Sequence, residues 1–461
     1  MAFNTAGFLF LFFPAAFLLY RLMPGRRTKN VFLAIASALF YGFGGLASLP
    51  VLLAAFLWDY LIAKDEKRAK LWCGIAAAGN LALLGFYKYL AFVLETLHLP
   101  ALSQPFALPL GISFFTFHGI SYLVDVYREP SRVCRRADTL FLYLAFFPRL
   151  IAGPIVRWQD AAAQLAEHPI SPEMTAAGLR RLVRGLLKKL LLAESAAAVA
   201  NAVYALAPEQ LGMGLAWLGA VSYCFQIFFD FSGYSDMAIG LGRMFGFHFL
   251  ENFNYPYVSR SVTEFWRRWH ISLSTWFRDY VYIPLGGNRC SRARNILNLF
   301  LVWALTGLWH GANWTFIAWG LWFFVLLIGE KFLWGKALSR LPSLLQHVYA
   351  MLLVILSWVL FRADDIDAAL CYMAAMFGRA PALCDSRAVY YALEFWPELL
   401  LCCIAALPVK NLLETALEKR NSKLSRGLLI VGPKLASLAL LALSYCRLVT
   451  GSFNPFIYFR F

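Results

Sequence analysis

Apolar runs of helical length recur along this chain, and short blocks of basic residues separate them. That alternation narrows the possible folds sharply. In hydrocarbon every backbone N–H and C=O must be paired internally, which admits only helices and closed barrels. Runs such as 71–97, 211–231 and 344–361 have helical length, unlike the roughly ten-residue alternating strands of a barrel. The expected fold class is all-α and polytopic, with residues 1–461 forming a single transmembrane domain. Composition agrees, because 61% of the residues are hydrophobic and only 15% are charged. A soluble domain could not cover its surface with so few polar groups.

The net charge is +16, from 42 Lys and Arg against 26 Asp and Glu. A basic balance can signal nucleic acid, but here the charges lie in loops between spans. Blocks fall at Arg21–Lys29, Lys64–Lys70, Arg128–Arg136 and Lys410–Arg426. Basic loops of this kind mark the cytoplasmic side, so the expected partner is membrane lipid and not nucleic acid. Nine cysteines include no C-x-x-C pair, and they suggest neither a disulfide framework nor a metal site. The first basic cluster follows the apolar stretch Met1–Tyr20, the reverse of a signal peptide. It fits a first span whose N-terminus faces outward.

Residues 6–20 read as one short span. Residues 30–63 must cross an even number of times to link two basic blocks, and Gly42 through Pro50 suggests a turn between two short helices. Residues 71–97 lead out and 110–127 return. Residues 139–156 carry Pro148, Arg149 and Pro154, which suits a re-entrant or broken helix. Residues 176–200 combine leucines with Arg180, Arg181, Arg184, Lys188 and Lys189, the pattern of an interfacial amphipathic helix. Further spans are expected at 211–231, 296–309, 313–329, 344–361, 390–407 and 427–446.

Polar residues concentrate between Phe228 and Gly311. Such density between apolar spans is costly in a membrane and usually lines a watery path or a site. His310 ends an apolar run and is flanked by Gly307 and Gly311, which permit close approach by substrate or another backbone. It can be a core histidine satisfied by a neighbouring helix, or the proton acceptor for a hydroxyl attacking a thioester. Periodicity does not choose between them. His270 shares a helical stripe with Trp266, Trp269, Leu273 and Trp276, which reads as an interfacial helix anchored by its tryptophans. A histidine there could instead line a donor channel, whose arginines would meet phosphates.

The strings Pro109-Leu110-Gly111-Ile112-Ser113-Phe114, Asp125-Val126-Tyr127-Arg128, Phe147-Pro148-Arg149 and Arg267-Arg268-Trp269-His270 come from this sequence, as does Leu308-Trp309-His310-Gly311. Together they resemble the membrane-bound O-acyltransferase superfamily, in the bacterial branch of alginate O-acetyltransferase membrane subunits. The resemblance spans nearly the whole chain. It implies a ring of helices around a thinned centre, with re-entrant and interfacial helices and a tunnel near His310. It also implies that His310 is catalytic and His270 a second site histidine. Acyl donor would enter from the cytoplasm, and the acceptor from the outer face.

The tail Asn454-Pro455-Phe456-Ile457-Tyr458-Phe459-Arg460-Phe461 follows the last span. If the basic block before that span is inside, the C-terminus lies outside. The tail can serve as an aromatic anchor, but its F-x-Y-x-x-F pattern resembles a terminal motif thought to receive the acyl group in this branch. A phenol, with pKa about 10, forms an activated ester, so Tyr458 is a candidate relay. The function expected is transfer of acetyl from a cytoplasmic thioester, acetyl-CoA or another, across the bacterial inner membrane. It would lead to O-acetylation of an extracellular or envelope polysaccharide such as alginate or peptidoglycan. A separate extracytoplasmic acetyltransferase would complete delivery. The competing reading is a transporter or flippase for an acylated or lipid-linked substrate.

Overall fold

The computed structural model describes residues 2–64, 69–100, 107–379, 382–383, 385–420, 423–450 and 456. Those residues form helices and loops, with no strand among them. Five helices are long and apolar enough to cross a membrane: Lys70–Thr96, Met213–Met244, Trp314–Phe332, Ser343–Arg362 and Ser386–Ala406. Large apolar side chains point outward, including Leu81, Val325, Leu393 and Trp396. Lipid is the solvent that makes such a surface stable. The chain is an all-α polytopic membrane protein. It divides into two compact units.

Unit 1 comprises Met1–Leu182, Tyr234–Glu251 and Thr275–Pro284. The expected turn near Gly45 separates helix Gly25–Gly44 from Leu49–Ile62. The expected broken helix is also present, as Ala137–Ala145 followed by the short turn Phe147–Leu150. Arg149, buried, closes this break by donating to the backbone carbonyls of Tyr143 and Val156. The Tyr143 hydroxyl adds a bond to the Val156 carbonyl at 3.0 Å. Carbonyls freed by the break therefore find donors inside the protein, as membrane depth requires.

Described residues of the first three basic blocks meet at one end of this unit. Arg26, Arg27, Arg135 and Arg136 line one cavity. The Tyr60 hydroxyl donates to the Arg135 carbonyl at 3.1 Å, and Lys64 lies 4.0 Å from the Tyr60 ring centre. This convergence agrees with an even number of crossings between blocks.

Unit 2 comprises Val183–Gly233, Asn252–Ser274 and Leu285–Phe461. Its centre is an antiparallel hairpin of helices Arg292–His310 and Trp314–Phe332. The side chains of Ser291 and Asn313 accept from backbone N–H groups of the first turns, at 3.3 and 3.0 Å. Gly307 and Gly320 let the helices touch backbone to backbone: a Cβ on Gly307 would lie 2.4 Å from the Phe316 carbonyl oxygen. At the far end, Lys331 Nζ donates to Asn288 and Asn295, at 2.6 and 2.7 Å. Glu330 then accepts from the backbone N–H groups of Val262 and Thr263, at 2.7 and 2.8 Å, seating helix Val262–Arg268.

The expected interfacial helix at 176–200 is observed as Pro172–Leu187, a π-helical turn Lys188–Ala193, and Glu194–Tyr204. Arg180 and Arg184 face outward as that pattern requires. Two of its cations turn inward instead. Arg181 pairs with Asp236 at 2.7 Å within unit 1, and Lys189 pairs with Asp230 at 2.7 Å within unit 2. A buried cation needs such a partner to offset its lost hydration.

Candidate active site

Both sequence-identified histidines lie in unit 2 and are buried. His310 is the last residue of helix Arg292–His310, followed by extended backbone at Gly311. Aromatic rings enclose it: Trp309 at 4.8 Å, Trp319 at 4.9 Å and Phe361 at 5.1 Å between ring centres. The glycines beside it serve packing within the protein. A Cβ on Gly311 would lie 2.3 Å from the Phe316 ring, so that position too is taken by a neighbouring residue.

His270 does not sit inside a continuous helix. Helix Val262–Arg268 ends before it and Ile271–Phe277 begins after it. His270 itself adopts φ 44°, in the left-handed region. The tryptophans of this segment are likewise not interfacial anchors. Trp266, Trp269 and Trp276 are buried, with Trp266 against Trp303 at 4.6 Å and Trp269 against Trp358 at 4.8 Å between ring centres. The 3.6-residue stripe is real, but tertiary packing breaks the helix and buries its aromatic side.

The residue that fixes this break is Asn252, to which the sequence gave no role. Its Oδ1 lies 3.0 Å from His270 Nδ1 and accepts from the Ser272 backbone N–H at 3.2 Å and the Ser272 hydroxyl at 2.9 Å. Its carbonyl accepts from the Ile271 N–H at 3.0 Å. Because the Ser272 N–H identifies Oδ1 as the oxygen, His270 Nδ1 must be the donor in that contact. The neutral ring then carries its lone pair on Nε2, which has no hydrogen-bond partner among the described residues. Burial pushes this imidazole down to about 3, so it is neutral at physiological pH. A neutral imidazole with its lone pair on Nε2 can accept a hydrogen bond from a reacting group, but a base this weak is suited to positioning more than to proton abstraction.

The two histidines both neighbour one indole. The His270 ring centre is 5.8 Å from Trp309, and Trp309 is 4.8 Å from His310. On its other side His270 meets Phe231 at 4.7 Å, and Phe231 lies 6.0 Å from Phe456 of the tail. Phe456 is buried. Tyr458 lies outside the described residues.

The fold is that of an all-α polytopic membrane protein, and comparison with known proteins gives its class, a membrane acyltransferase. The membrane-bound O-acyltransferase family model matches residues 137–366, a segment that contains both histidines. The chain belongs to that family and is an O-acyltransferase. Among its relatives is a probable alginate O-acetylase of Azotobacter vinelandii, 39% identical over 502 residues and covering all of both chains. The corresponding Pseudomonas aeruginosa protein is 43% identical over 82% of this chain and 75% of its own. A peptidoglycan O-acetyltransferase of Helicobacter pylori is 35% identical over 82% of this chain and 80% of its own.

Proposed function

We propose that this O-acyltransferase moves acetyl groups across the bacterial inner membrane for O-acetylation of an extracellular or cell-envelope polysaccharide, such as alginate or peptidoglycan. The observation that carries the reading is the pair of buried histidines that both neighbour Trp309, with Phe456 packed against Phe231 beside His270. The names of the relatives support the substrate class. The donor is a cytoplasmic thioester, acetyl-CoA or another acyl thioester. Both termini face the exoplasm.

In this reading His310 takes the proton of the attacking hydroxyl as its oxygen bonds to the thioester carbonyl carbon. The C–S bond then breaks and the thiolate leaves with that proton. His270, neutral through burial and held in one tautomer by Asn252, positions the reacting groups from the donor side. Tyr458 is the first acceptor, forming an acetyl-tyrosine ester that a separate extracytoplasmic acetyltransferase consumes. The described part of the same tail, Phe456, is buried against Phe231.

The test is incubation of the purified protein in proteoliposomes with acetyl-labelled acetyl-CoA. Label on the protein, or its passage to an added acceptor, is expected, and His310→Ala abolishes it. Export of an intact acylated lipid with no thioester cleavage would overturn the reading in favour of a flippase.

A further inference from the structure

A cavity at the basic end of unit 1 is lined by neither of the two histidines. Its volume is about 390 Å³. Arg26 and Arg27, from the start of helix Gly25–Gly44, face Arg135 and Arg136 across it. Among the described residues its lining includes no acidic side chain, and Trp158 and Leu165 form part of an apolar wall. Arg136 pairs with Asp138, Arg26 donates to the Ala166 carbonyl, and Arg135 is engaged as well.

Four guanidiniums around one cavity repel one another, and the two on helix Gly25–Gly44 also oppose its dipole. An anion would relieve both. Guanidinium forks match the paired oxygens of a phosphate, and the apolar wall beside them suits the glycerol and first methylenes of a lipid. Exposed leucines on the adjoining helices, such as Leu18 and Leu22, put hydrocarbon at the same end. Basic pockets between membrane helices are a recurring form of headgroup site.

We propose that this cavity binds the phosphodiester headgroup of an anionic phospholipid in the leaflet at the basic end of the unit. Free phosphates, including those of a soluble nucleotide thioester, share that chemistry but would have no use for the apolar wall. The site is independent of the acetyl-transfer reading, since it lies wholly in unit 1.

The experiment reconstitutes the full chain in phosphatidylcholine nanodiscs with and without phosphatidylglycerol, and counts retained lipids by native mass spectrometry. The wild type should retain phosphatidylglycerol selectively. Near an anionic surface each arginine is worth roughly a fivefold factor, so Arg27→Gln with Arg135→Gln should weaken retention about 25-fold. Arg27→Lys with Arg135→Lys keeps the charge, tests folding, and should fall between. Arg340→Gln, outside the cavity, should retain lipid normally. Equal retention of both lipids, or equal loss in Arg340→Gln, would overturn the proposal. So would competition by inorganic phosphate or coenzyme A at concentrations that leave other lipid contacts intact.

Discussion

Replacing Asn252 tests the chemistry of the site without touching either histidine. Its Oδ1 serves three donors at once: His270 Nδ1, the Ser272 N–H and the Ser272 hydroxyl. Asn252→Ala removes that acceptor inside a buried site. The hydroxyl can rotate to another partner, but the two N–H groups cannot. A buried donor left unsatisfied costs about 1–3 kcal/mol, so for the two N–H groups stability should fall by roughly 2–6 kcal/mol. The tautomer preference of His270 disappears as well. One hydrogen bond of about 1.4 kcal/mol sets a tenfold tautomer ratio, so turnover should fall by about tenfold or more.

Asn252→Asp is the discriminating partner. The carboxylate keeps an acceptor in place and, as a nearby negative charge, raises the histidine by roughly one to three pH units. From about 3 the ring would still be neutral near pH 7. Turnover at neutral pH is therefore largely kept, while the acid limb of the pH–rate profile moves upward. The assay is acetyl transfer in proteoliposomes between pH 4 and 8, with thermal melts of each variant. Wild-type turnover and stability in Asn252→Ala would refute the reasoning. An unmoved acid limb in an active Asn252→Asp protein would refute it equally.

Four further outcomes are expected. His310→Ala should abolish polymer acetylation at normal protein levels, which immunoblotting and acetate release from the polymer would check. Tyr458→Phe keeps the ring and deletes the hydroxyl, so acetyl delivery should stop while membrane insertion is unchanged; wild-type delivery would leave the tail an anchor. Gly307→Ala places a methyl 2.4 Å from the Phe316 carbonyl oxygen and should cost about 1–3 kcal/mol, read as a lower melting temperature. His168, outside the spans, is held down at about 4 by burial, with Lys29 and Arg26 acting in the same direction. Its unfolded value is near 6.5, so the unfolded chain binds more protons and stability falls as pH drops from about 6.5 towards 4. His168→Gln should flatten that slope in melts across this range.

The spans were legible because length and apolarity are properties of the sequence itself. Pro148, Arg149 and Pro154 likewise announced a broken helix, and residues 137–150 form one. The identity of the two histidines came from motif resemblance, and the structure brings both to a single indole. The break at His270 was not legible, because Trp266, Trp269, Leu273 and Trp276 continue the helical period straight through it. What interrupts that helix is an asparagine 18 positions upstream, a contact no local pattern encodes. The inward turn of Arg181 and Lys189 was hidden for a similar reason. An amphipathic stripe records which residues are charged, while their acidic partners Asp236 and Asp230 lie on another helix.

The glycine-sealed hairpin gives unit 2 a fixed angular phase. Each residue of an α-helix turns the next by about 100°, and Gly307 against Phe316 locks the rotation of one helix to the other. Adding one residue between Gly307 and His310 would swing the imidazole away from Trp319 and Phe361 although every side chain of the site was still present. An extra residue in the loop around Arg340 would leave that phase untouched. Insertions, more sharply than substitutions, would then divide this chain into lengths that keep time for His310 and lengths that only connect them.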